Sequence, residues 1–141
     1  MIKISLALLA DCANVSREGK LNILGIFDRI SVQSLPATHS QMQLVMTLEA
    51  DSVDADKSHK LGIELIDADG AKLLSMEGDL KFSQPPPGEQ VRINHIFQLN
   101  NMRFEHFGNY EFKILINNEV RKSIPLSIAE VKKQYGAETP V

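Results

Sequence analysis

The sequence predicts an all-β fold of two layers of antiparallel strands packed face to face, and three observations carry it. Apolar residues recur at every second position in several short stretches, which is the period of a half-buried strand. Clusters of Gly, Pro, Asn and Asp interrupt these stretches at fairly even intervals. No stretch sustains the 3.6-residue apolar period of a helix. The pattern resolves into about eight strands.

In chain order, Ile2, Ile4, Leu6 and Leu8 alternate with Lys3, Ser5 and Ala7 as a first strand. The run ending Leu9-Ala10-Asp11-Cys12 also resembles a bacterial lipoprotein box. Asp11 stands where that pattern wants a small residue, and the apolar run is short for a signal segment, so the strand is preferred. Leu21 to Val32 is apolar on both faces and predicts a central strand, bulged at Gly25. Met42, Leu44, Met46 and Leu48 form one inward row, and Leu61, Ile63 and Leu65 another. Leu74, Met76, Leu80 and Phe82 follow, with Gly78 interrupting. Val91, Ile93, Phe97 and Leu99 share a face with His95, up to a turn at Asn100-Asn101 and a loop reaching Phe107. Tyr110, Phe112, Ile114 and Ile116 then oppose Glu111 and Lys113. Asn117-Asn118 suits a type I′ turn, which needs two positive φ angles. The return strand places Val120, Ile124, Leu126 and Ile128 inward, with Lys122 intruding, and Pro125 marks it as an edge. One domain spans residues 1–129, and 130–141 forms a tail that is frayed or makes one helical turn.

Two resemblances refine this reading. His106-Phe107-Gly108-Asn109-Tyr110-Glu111-Phe112 resembles the tyrosine-corner motif of immunoglobulin-like sandwiches. Gly108 and Tyr110 match it; His106 replaces an Asp and Phe112 a Cys. The resemblance implies an immunoglobulin-like β-sandwich without its disulfide. Asp11-Cys12-Ala13-Asn14-Val15, then Gly19 to Asp28 and Leu35-Pro36-Ala37, resemble an uncharacterised bacterial family of short proteins of that fold. That resemblance implies no activity.

Composition bounds the function. At 141 residues, with 43% hydrophobic and 23% charged positions, the chain suits one globular domain. Its net charge of −3 and its lack of any cationic run longer than Lys132-Lys133 predict no nucleic-acid partner. No segment is long and apolar enough to span a bilayer. A lone cysteine, Cys12, allows no internal disulfide and favours a reducing, cytoplasmic compartment. Asp11 beside it disfavours a thiolate nucleophile.

Few residues invite chemistry. Asp51, Asp54 and Asp56 form an acidic loop without the glycine and terminal glutamate of an EF-hand. The strand alternation sends Asp67 and Asp69 to the opposite end, so a solvated loop is preferred over a calcium site. His39 and His106 fall at the end of Asp67 and Asp69, without the spacing of a metal site. His95 reads as a hydrogen-bonded histidine at the core margin, and His59 as a solvated strand start. There is no Gly-x-Ser-x-Gly elbow and no phosphate loop, so no catalytic residue, metal or cofactor is expected. Met102, Arg103, Phe104, Glu105 and His106 carry types enriched at interfaces and are the candidate partner contact, although for Phe104 and Phe107 a plug of the sandwich end is preferred. Pro85-Pro86-Pro87 reads as a stiff connector rather than a polyproline ligand. The expectation is a non-enzymatic protein-interaction module or accessory subunit of a bacterial assembly, binding an unidentified protein partner and with homo-oligomer formation left open. The alternative is a calcium- or glycan-binding β-sandwich.

Overall fold

The structure, a computed structural model, describes residues 1–131; the expected tail falls almost wholly outside them. Nine strands form, with no helix among the described residues. They are β1 (Lys3–Val15), β2 (Leu21–Phe27), β3 (Arg29–Val32), β4 (Ala37–Ala50), β5 (Ser58–Ile66), β6 (Lys72–Lys81), β7 (Val91–Phe104), β8 (Gly108–Ile116) and β9 (Glu119–Glu130). One sheet runs β2-β1-β4-β7 and the other β3-β9-β8-β5-β6. All pairs are antiparallel except β3 with β9.

Between the sheets lies one apolar core. Met42, Leu44, Met46 and Leu48 of β4 are fully buried in it, as are Phe112, Ile114 and Ile116 of β8. Each such side chain contributes roughly 1.5–3 kcal/mol by leaving water. The inward rows of β4, β5 and β8 are those the alternation predicts. The β8–β9 turn also forms as expected, with φ of 52° at Asn117 and 66° at Asn118.

Five expectations are corrected. Ser5 is an extra residue in β1, so the faces exchange there: Ile2 and Ile4 face the core, followed by Ala7 and Leu9 instead of Leu6 and Leu8. Leu21 to Val32 is not a central strand. It breaks at Asp28 into β2 and β3, which border different sheets. Asn100-Asn101 does not end β7. Asn101, at φ 53°, turns the strand so that Leu99 and Met102 both reach the core, and the connecting loop shrinks to residues 105–107. β9 is an edge only from Glu119 to Leu126, where Pro125 lies; from Ser127 onward β3 covers it. Val120 is 47% exposed, because Arg121 is an extra residue that shifts the phase.

The β1–β2 hairpin extends beyond the sheet. β1 pairs with β4 only as far as Ala10, and β1 and β2 continue alone to Val15 and Leu21. The Ala13 N–H donates to Oε1 of Gln43, a β4 side chain. Gly19, Lys20, Leu21 and Ile23 share a cavity of about 680 Å³ with Thr47, Arg92 and Asn94, so the arm bends back over the outer face of its own sheet. The bend sits at Gly25, φ 71°, where a Cβ would collide with the Asp11 carboxylate.

Candidate functional site

The predicted contact segment divides on folding. Phe104 is fully buried and meets Tyr110 edge-to-face at 5.2 Å between ring centroids, so it is a plug. Met102 packs half-buried on the core. Arg103, Glu105 and His106 are exposed, with Arg103 Nε 3.3 Å from Glu105 Oε1. These three line a shallow cavity of about 310 Å³ together with Asp67, Lys72 and Tyr110. Tyr110 Oη donates to the His106 carbonyl at 2.9 Å, and burial raises the phenol's pKa. Asp67 Oδ1 accepts from the N–H groups of Asp69 and Ala71, both at 2.9 Å, which closes the β5–β6 turn. His39 does not join His106; it lies beside Phe27 at 6.0 Å between centroids.

At the other end, the acidic loop is tied internally. The Met1 ammonium lies 2.7 Å from Asp54 Oδ2 and 3.3 Å from Asp51 Oδ2. The hydrogen bond to Asp54 is the largest influence on the ammonium and raises its pKa. Burial pushes the Asp51 pKa up, but the ammonium's hydrogen bond and charge outweigh it and the pKa falls. Asp56 takes a left-handed φ of 60°, and its N–H donates to the Phe82 carbonyl. Among the described residues no three His, Cys, Asp or Glu side chains converge as a metal would require. His59 is not solvated. It is buried, with Nε2 2.8 Å from the Asp54 carbonyl and Nδ1 3.1 Å from the Asn117 amide.

Two further surfaces emerge only on folding. On the arm, Leu24 is 70% and Ile26 64% exposed, beside exposed Cys12. They lie on a bordering strand whose outer backbone edge has no partner among the described residues. On the opposite side, β6 and β7 border their sheets with no further strand among the described residues, and the sheets stay parted there. A cleft of about 310 Å³ opens there between Leu61, Ile63, Met76, Gly78, His95 and Phe97. The His95 and Phe97 rings stack at 5.7 Å and 19°. His95 does sit at the core margin, half-buried, but its ring lacks the expected hydrogen bond among the described residues, and its burial lowers its pKa.

A family model described as "Family of unknown function (DUF6941)" matches residues 5–129. The chain belongs to that family. No curated protein matches the chain. Among solved structures it is similar to the Pseudomonas fluorescens alkylpurine DNA glycosylase AlkC bound to DNA containing an abasic site analog, with 15% identity and a TM-score of 0.47. The match covers 91% of this chain and 30% of that one. What that enzyme does is not carried over to this DUF6941 member.

The structure it is similar to is DNA-bound, so the exclusion of nucleic acid is withdrawn, and nothing about nucleic acid follows from that likeness for this chain. The physical flaw lies in using net charge: it sums the whole surface, whereas phosphate contact depends on local cations. No helix among the described residues is long and apolar enough to cross a membrane. Sequence reading overlooked Leu24 and Ile26 because an apolar run looks the same on a buried strand and on a protruding one. In the sequence Gly78 reads only as an interruption of an apolar row.

Proposed function

We propose that this DUF6941 chain is a non-enzymatic interaction module or accessory subunit of a larger assembly, contacting a protein partner through the β1–β2 arm. The observation that carries the reading is the exposure of Leu24 and Ile26, 70% and 64%, on a strand edge that has no partner among the described residues. Exposed apolar groups beside open backbone donors and acceptors are what strand addition recognises. The surfaces of Arg103, Glu105 and His106 form a second, more polar candidate.

An immunoglobulin-like sandwich is part of the same proposal. It is supported by the Tyr110–His106 corner bond and by an N-terminal segment that contributes strands to both sheets. A reducing, cytoplasmic location is supported by the exposed single Cys12, a liability where thiols oxidise.

The test compares the full chain with Leu24→Asp/Ile26→Asp in crosslinking mass spectrometry and sedimentation velocity. Wild type is expected to associate, with crosslinks in the arm, while the variant keeps its melting temperature and loses the complex. A wild type that stays alone and monomeric, or a variant that captures the same partners, overturns the reading.

A further inference from the structure

The β6/β7 side of the molecule is where its core stays open. On β7 the inward row Val91, Ile93, His95 and Phe97 is only half-buried, as are Leu74 and Met76 on β6. The matching rows of β4 and β8 in the middle of the sheets are sealed. Gly78 creates the space. It pairs with Leu61 on β5 and belongs to the inward phase of Met76 and Leu80. Its φ is not left-handed, and a Cβ built on it would meet no heavy atom within 4 Å. A side chain would fit there; its absence leaves a cleft of about 310 Å³.

The walls of this cleft differ. One is aromatic, the rings of His95 and Phe97 stacked on each other at an interplanar angle of 19°. The other is aliphatic, with Leu61, Ile63 and the Met76 thioether, a group that packs well against aromatic rings. Facing sheets lie roughly 10 Å apart, so a ring on one sheet opposite a glycine on the other leaves room for one further flat group. The His95 nitrogens have no partner among the described residues, so they are free to donate or accept. Glu77 and Asp79 stand at the rim, Glu77 only loosely compensated by Lys60 at 3.8 Å. That charge disfavours an anion. The volume is at the lower limit of ligand pockets, roughly 300 Å³ and upward, which restricts the guest to one or two rings.

We propose that the inter-sheet cleft at Gly78 and His95 is a binding site for a small planar aromatic ligand, neutral or cationic. The ring packs against the edges of the His95–Phe97 stack, fills the space before Gly78 and hydrogen-bonds in plane to the His95 imidazole. This site is separate from the arm and does not rest on the arm's proposed role.

The experiment is an NMR titration of the full chain with indole, tryptamine and indole-3-acetate as neutral, cationic and anionic probes. Indole and tryptamine are expected to give saturable shifts at His95, Phe97 and the Met76 methyl, with indole-3-acetate about tenfold weaker. Gly78→Leu is expected to keep or raise the melting temperature and to abolish these shifts. His95→Leu, which keeps an apolar wall, is expected to weaken binding about tenfold and provides a second arm should Gly78→Leu fail to fold. Leu24→Asp/Ile26→Asp is expected to bind the rings like wild type. The site is overturned by absence of saturable shifts with indole and tryptamine at millimolar concentration, by undiminished binding in a folded Gly78→Leu, or by undiminished binding in His95→Leu.

Discussion

Single residues fix the corners of this molecule. Tyr110 joins two of them, since its ring seals Phe104 in the core and its hydroxyl holds the His106 carbonyl at 2.9 Å. Tyr110→Phe keeps the ring and removes only that bond, so a loss of about 1 kcal/mol is expected in urea denaturation with the slope unchanged. The role of Tyr110 was legible because a Gly-x-Tyr pattern specifies a local geometry. The surroundings of His95 and His59 were not. Each sits in an alternating segment, but whether an imidazole finds a hydrogen bond depends on residues far along the chain. For His59 those are Asp54 and Asn117, and for His95 none among the described residues. The apolar neighbours of His95 in the sequence placed it correctly on the core-facing row, yet could not tell a closed core from an open one.

At the level of strands, irregular positions decide where each one points. Ser5 and Arg121 each insert one residue, Asn101 bends β7, and Gly25 bends the β1–β2 arm. Such insertions exchange the faces of everything that follows, so a simple alternation fails beyond them. They also blunt the exposed halves of β1 and β9, the usual protection of an open edge. In the case of β9, Arg121 in addition donates from Nη1 to the Ile2 carbonyl at 3.2 Å, tying two open edges together. Gly25 is the sharpest of these devices. Gly25→Ala must adopt φ 71° and displace Asp11, so it is expected to destabilise by about 1–2 kcal/mol or more. Faster amide exchange confined to residues 11–25 would mark the arm as the part that loosens; unchanged exchange there would show that the bend does not depend on glycine.

Taken as a whole, the molecule is two sheets sharing one interior, and its stability is concentrated in that interior. Phe112 is fully buried within it on a central strand. Phe112→Ala is expected to cost about 3–5 kcal/mol, a large part of the roughly 5–15 kcal/mol available to a domain, and to lower the melting temperature in one cooperative step. A small shift, or a transition restricted to one sheet, would mean the layers are not one unit. The all-β class, the inward rows of β4, β5 and β8 and the Asn117-Asn118 turn follow from the order of residues, because alternation and turn chemistry act between near neighbours. The division of residues 21–32 between two sheets, the half-covered edge of β9, the arm and the cleft at Gly78 do not. They arise where segments distant in the chain meet or fail to meet, and only the packing of the two sheets determines which apolar side chains are covered and which remain available to a partner.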